Sequence, residues 1–148
     1  MNRADRSQSK LSVLFLDLDR FKTVNDRFGH LIGSRVLREL GGLLQESVRA
    51  IDTVGRYGGD EFTILLVDTG LEGALSVAER IRQSVADHAF GAERGLELRL
   101  TISVGVATFP MHGESRERLL DLADKAMYLA KALGRDHVCS ANDLSGTR

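Results

Sequence analysis

The stretch Arg56-Tyr57-Gly58-Gly59-Asp60-Glu61-Phe62-Thr63-Ile64-Leu65-Leu66-Val67 decides how this chain is read. Two glycines followed by two acids predict a tight turn that presents carboxylates. Glycine takes backbone angles that other residues resist and lets a ligand approach the main chain. Phe62 to Val67 is an apolar run of strand length, and Val54 to Tyr57 can pair back on it as the other arm of a hairpin. Taken alone, the tip is either a solvated turn or a place where adjacent carboxylates meet a divalent cation, since hard cations take oxygen ligands.

A second acidic edge lies upstream. Leu11-Ser12-Val13-Leu14-Phe15-Leu16-Asp17-Leu18-Asp19 is nearly continuous apolar sequence, as in a central strand covered on both faces. Alternation sets Val13, Phe15, Asp17 and Asp19 on one face. An acid at the end of a buried strand is costly unless it is paired or bound to a metal. Asp17 is therefore the first ligand candidate, while Asp19 is either another or a local cap. With this strand beside the hairpin, Asp17 meets Asp60 and Glu61.

The remaining segments supply a scaffold for those edges. Phe21 to Phe28 reads as a short helix and Gly29 to Ser34 as a loop. Ser34 then serves as N-cap of a longer helix with Leu37, Leu40, Leu44, Val48 and Ile51 on one side, ending near Asp52. Ala74, Ala78, Ile81 and Val85 form the stripe of another helix. Leu96, Leu98, Leu100, Ile102, Val104 and Val106 alternate with mostly polar partners and predict a strand with one wetter face. Leu119, Leu122, Ala126, Ala130 and Leu133 mark a helix stopped by Gly134, and His137-Val138-Cys139 a short last strand. The expected fold class is α/β in the α+β sense: a single central, mostly antiparallel sheet flanked by helices. Residues 1–10 read as a tail or linker stump, 11–140 as the domain, and 141–148 as a frayed C-terminal tail.

A chain of 148 residues suits one domain with one core, and 43% hydrophobic with 28% charged residues is ordinary for a globular protein. A net charge of -1 offers no general attraction to nucleic acid or to an anionic membrane. The single cysteine, Cys139, excludes an internal disulfide and agrees with a reducing, cytoplasmic setting. No apolar run approaches membrane-spanning length, and Met1 to Lys10 is too polar for a signal peptide.

Carboxylates from two neighbouring strands holding one or two divalent ions suit nucleotidyl transfer. The metals bridge triphosphate oxygens, lower the pKa of an attacking hydroxyl and steady the leaving pyrophosphate. Lys22, and Lys131 with Arg135 four residues on, either meet those phosphates or form only a solvated basic face.

These residues carry a resemblance. The segment Asp17-Leu18-Asp19-Arg20-Phe21-Lys22-Thr23-Val24-Asn25-Asp26-Arg27-Phe28-Gly29-His30 strongly resembles the opening motif of GGDEF domains, the diguanylate cyclases. Gly58-Gly59-Asp60-Glu61-Phe62 is that family's signature, intact. Thr101 to Gly105, Ala123 to Lys131 and Gly134-Arg135 resemble further family blocks in the same order. The resemblance runs from about Leu11 to Cys139 and implies the palm-like nucleotide cyclase fold.

It also implies roles. Asp17, the main-chain carbonyl of Leu18 and Asp60 would hold magnesium or manganese, two ions per site, with Glu61 on the second. Asp60 would also accept the 3'-hydroxyl proton. Gly58 and Gly59 would let the nucleotide lie against the turn. Asn25 would read the base with His30 close by, and Phe21, Lys22, Lys131 and Arg135 would cradle phosphates. Each subunit would bind one nucleoside triphosphate, so a homodimer is needed to close a cyclic dinucleotide. Arg49 and Asp52 match the family's inhibitory product site, an Arg-x-x-Asp with five residues between it and Gly58. Elsewhere such a pair is a solvated ion pair at a helix end.

The chain departs from the family pattern at Ser34, where aspartate is usual. That aspartate would accept hydrogen bonds from N1-H and the amino group of guanine, whereas serine carries both donor and acceptor and need reject neither purine. Losing the charge-assisted contact should weaken guanine preference by about 1.5–3 kcal/mol, roughly one to two decades. The same swap marks the hybrid promiscuous branch, which takes ATP as well as GTP and makes 3',3'-cyclic GMP-AMP, with cyclic di-GMP as co-product. Alternatively, Ser34 is only a helix cap and the enzyme is an ordinary, slower diguanylate cyclase, or the serine is a sign of decay. Asp136 stands where asparagine often follows Gly-Arg. The family's usual segment before the first strand is missing from Met1 to Lys10, which suggests a catalytic domain cut from a longer protein with a regulatory partner. A catalytically silent module sensing cyclic di-GMP through Arg49 and Asp52 would have no use for Asp17, Asp60 and Glu61. A polymerase palm acting on nucleic acid is disfavoured by the missing basic track.

Overall fold

A computed structural model describes residues 9–145 of the chain. Most of the tail expected at 1–10 lies outside the described residues. The elements run β1 (Leu11–Leu18), α1 (Phe21–Phe28), α2 (His30–Glu46), β2 (Thr53–Arg56), β3 (Glu61–Val67), α3 (Leu71–Asp87), a 3-10 turn (Ala92–Arg94), β4 (Ile102–Phe109), α4 (Arg116–Ala132), β5 (Val138–Ser140) and α5 (Ala141–Ser145). They form one five-stranded sheet in the order β2-β3-β1-β4-β5. All pairings are antiparallel except the last, β4 with β5.

β1 is the middle strand, and its apolar run is buried on both faces. Leu14, Leu16 and Leu18 join the main core with Leu40 and Leu44 of α2 and Ala74, Ala78, Ile81 and Val85 of α3. Val13 and Phe15 turn to the other face and pack with Leu119, Ala123 and Met127 of α4. Central placement sets β1 beside the hairpin, in a register that makes Asp17 and Glu61 cross-strand partners.

Several boundaries differ from the sequence expectations. β4 begins at Ile102, six residues after Leu96, and Ile102 to Thr108 are all buried, so neither face is wet. Leu98 forms only an isolated bridge with Phe90. The alternating leucines upstream reflect a segment lying along the core edge, with Leu98 and Leu100 packed against it. α2 starts at His30 and ends at Glu46. Gly29, at φ 90°, breaks the chain between α1 and α2, so Ser34 lies inside the helix and caps nothing. The expected frayed end starts instead with α5, whose Ala141 is buried on the α4 side.

α4 lies close against the sheet because of Gly105. A Cβ there would stand 2.0 Å from the Ala123 carbonyl oxygen and 2.4 Å from the Met127 nitrogen. Among the described residues no helix is long and apolar enough to cross a membrane.

Candidate active site

The two acidic edges converge. Asp17, next to last in β1, has 8% of its surface exposed. Burial pushes its carboxyl up to about 6, opposed by the Lys131 ammonium and reinforced by the neighbouring charges of Asp60 and Glu61. Glu61 is also raised, by burial first and then by Asp124 and Asp60. Lys131 reaches in from the last turn of α4, with Nζ 3.2 Å from Asp17 Oδ1 and 3.5 Å from Asp19 Oδ1.

Asp19 is neither a ligand in waiting nor a cap. It is 3% exposed and accepts from Thr101 Oγ1 at 2.6 Å, Ser103 Oγ at 2.7 Å and the Asp136 amide at 3.0 Å. Those donors satisfy a buried acid and tie the end of β1 to β4 and to the turn after α4.

That turn corrects a second expectation. Lys131 and Arg135 do not share a helix face, because α4 ends at Ala132 and Gly134, at φ 122°, turns the chain. Arg135 and Asp136 follow at positive φ. Asp136 accepts from Arg82 Nη1 of α3 at 2.7 Å, which gives the departure at this position a structural role: it latches the turn to α3. Arg135 Nε is buried without a partner among the described residues.

The hairpin tip spans Tyr57 to Asp60, between Arg56 and Glu61. Gly58 and Gly59 are not among the residues at positive φ. A Cβ on Gly58 would lie 3.0 Å from Glu61 Oε1, so a larger residue there would crowd the end of that side chain. Arg56 folds back over the turn, its Nη2 and Nε donating to the Gly59 carbonyl at 2.6 and 3.0 Å.

Beside the tip is a cleft of about 430 Å³ lined by Phe21, Lys22, Asn25, His30, Ser34, Leu37, Arg56, Gly59 and Asp60. Six of the expected nucleotide contacts and one expected metal ligand therefore share one cavity: α1 contributes Phe21, Lys22 and Asn25, α2 contributes His30 and Ser34, and the hairpin contributes Gly59 and Asp60. The side chains of Asn25, His30 and Ser34 make no hydrogen bond to other described residues. Asp17, Leu18, Gly58, Glu61, Lys131 and Arg135 are not in the lining. Two lining residues escaped the sequence reading. Leu37 counted only as part of a helix stripe, and Arg56 only as a hairpin arm. The place of Arg56 two residues before Gly58 was the signal available.

Among the described residues, no three acidic, histidine or cysteine side chains are gathered as a ready metal set. The arrangement nonetheless fits magnesium, which uses one or two carboxylates together with substrate phosphates rather than an all-protein cage. Among the described residues, Asp17, Asp60 and Glu61 have Lys131 as the one cation set against them, which leaves negative charge for a metal ion to balance.

A separate cavity of about 450 Å³ is lined in part by Arg49, Asp52, Thr69, Val77 and Arg80. The pair lies past the end of α2, with Arg49 exposed and its acid buried. Asp52 is 6% exposed and accepts from Arg49 N, Nε and Nη2 and from the Val67 amide. Burial opposes its charge, but those hydrogen bonds outweigh it and hold the carboxyl below its ordinary value.

Comparison with known proteins follows the same lines. The family profile described as "Diguanylate cyclase, GGDEF domain" matches residues 1–137. The response regulator PleD of Caulobacter vibrioides is 46% identical over 139 residues, covering 93% of this chain and 31% of PleD. The GGDEF domain of YfiN from Pseudomonas aeruginosa has a TM-score of 0.86 at 35% identity, over 93% of this chain and 85% of that one. The GGDEF domain of DgcB from Caulobacter crescentus, solved in complex with c-di-GMP, has a TM-score of 0.85 at 28% identity, over 94% and 82%. The chain spans about a third of the length of the curated relatives it matches, from 29% to 39%.

Proposed function

The chain belongs to the GGDEF diguanylate cyclase family, and from that premise we propose that it joins two nucleoside triphosphates into a 3',3'-cyclic dinucleotide. Two pyrophosphates leave. One observation carries the reading: the unpartnered groups of Asn25, His30 and Ser34 line a single cleft with Asp60, next to the buried charge of Asp17.

Asn25 and Ser34 take the purine edge, and His30 lies beside the nucleotide. Phe21 and Lys22 receive phosphates, with Lys131 and Arg135 as further cations from the α4 end. Asp17, Asp60 and the Leu18 carbonyl would hold magnesium, and Glu61 would serve a second ion. Bound there, such an ion would supply charge neutralisation of the triphosphate and a lower pKa for the attacking hydroxyl. Asp60 accepts the 3'-hydroxyl proton. The oxygen attacks the α-phosphorus of the nucleotide on a second copy of the chain, and the bond to pyrophosphate breaks. Arg56 keeps the Gly59 carbonyl tied down while this occurs.

The family and the DgcB complex support cyclic di-GMP from GTP. Use of ATP beside GTP, giving cyclic GMP-AMP as well, rests on Ser34. Its place inside α2 and on the cleft supports a base-reading role for the serine. Incubation with equal ATP and GTP and magnesium should yield both products, and Ser34→Asp should shift them toward cyclic di-GMP by roughly one to two decades. Consumption of GTP alone would end the ATP reading and leave an ordinary diguanylate cyclase. Tight cyclic di-GMP binding with no pyrophosphate release from any nucleotide mixture would end the synthase reading.

The Arg49–Asp52 cavity is proposed as the product's inhibitory site. Arg49→Ala should weaken cyclic di-GMP binding by about 10- to 100-fold in calorimetry, the loss of charge-assisted hydrogen bonds. Unchanged affinity would remove product from this cavity.

A further inference from the structure

Gly33 lies in the first turn of α2 and is buried, with its amide donating to the Gly29 carbonyl at 3.1 Å. A Cβ added there would stand 1.8 Å from Asn25 Oδ1, 3.0 Å from Asn25 Cγ and 3.2 Å from Phe21 Cζ. No real contact is that short, so a methyl group would force something to move. The atoms in its way are the ends of two side chains, not backbone. The α1 backbone is held independently, because the Gly29 amide donates to the Asn25 carbonyl at 2.9 Å and Val24 is buried in the core. Glycine is also a poor choice for a helical position, where alanine is the better former.

We propose that the bare Cα of Gly33 seats the Asn25 amide in the base cleft, making Gly33 a positioning residue for purine recognition that acts through Asn25. The amide makes no hydrogen bond to another described residue, so close packing on the Gly33 backbone, beside the Phe21 ring, is what orients it. Oriented in this way, its carbonyl can accept and its NH2 donate to adjacent groups on a purine edge. Pushed off the helix, it loses both. The inference rests on the reading that this cleft takes the base of a purine nucleoside triphosphate.

The test uses the full chain with magnesium and 3'-deoxy-GTP, which lacks the attacking hydroxyl and is not consumed. Four proteins are compared: the parent, Gly33→Ala, Asn25→Ala and the double variant. Gly33→Ala should keep or raise Tm while weakening Kd by about five- to tenfold, as the loss of a hydrogen bond or two predicts. Its KM for GTP should rise with kcat retained. In the double variant Kd should be no weaker than in Asn25→Ala, because both changes remove one interaction. An unchanged Kd in Gly33→Ala overturns the inference. So does a fall in Tm, which would mean that α2 yields instead of the amide. Additive losses in the double variant also overturn it, since the methyl would then be acting on the nucleotide directly. When Asn25→Ala weakens binding and Gly33→Ala does not, only this inference falls. When Asn25→Ala itself has no effect, the base-cleft reading falls with it.

Discussion

At Asp17 the proposed chemistry is set against stability. Its carboxyl is raised from 3.8 to about 6, chiefly by burial. The folded chain thus keeps a proton that the unfolded chain releases, and stability falls as pH rises through that window. Above it the buried charge is a standing cost. Asp17→Asn removes the cost, and urea titration should show a gain of about 1–3 kcal/mol at pH 8 that shrinks toward zero near pH 4. The same variant should lose on the order of 10² to 10³ in kcat, the range seen when one electrostatic stabiliser of a transition state is removed. A variant no more stable than the parent at pH 8 would mean the charge is not strained. Asp17 was legible from its place at the end of an apolar run. The role of Asp19 was not, because its donors, Thr101, Ser103 and the Asp136 amide, are more than 80 residues away.

Among the elements, the α3 stripe was the readable part, whereas the stripes expected for α2 and α4 ran past the helix ends at Ile51 and Leu133, which are exposed. Ala74, Ala78, Ile81 and Val85 are the buried residues of α3, because period and burial are the same fact for a helix on a sheet. Boundaries were less readable. The alternating run from Leu96 has strand periodicity, yet pairing starts only where β1 and β5 are present to accept it, at Ile102. The packing of α4 on β4 is set by Gly105, a residue with no side chain to announce it. Gly105→Ala would set a methyl against backbone atoms of α4 that cannot rotate away. The expected loss is about 1–3 kcal/mol, read as a lower urea midpoint. Full stability in that variant would show that α4 can slide.

At the scale of the whole molecule, the proposed reaction needs two chains, each presenting one nucleotide to the other. Product formed per chain should therefore rise with protein concentration until the dimer saturates. A rate per chain independent of concentration, in a protein that sediments as a monomer, would exclude the shared reaction centre. By itself, the order of residues determined that this chain would build an antiparallel-rich sheet under amphipathic helices and bring acids to two strand ends, because periodicity and burial are local properties. It also determined the family, through several separated motifs in one order. Only the tertiary structure decided that Ser34 belongs to the cleft rather than to a helix cap, that Asp19 and Asp136 are internal ties, and that Gly33 lies under Asn25. Each of those depends on the distance between segments far apart in the chain or separated by a turn, and that distance is set by how α1, α2 and α4 pack on the sheet.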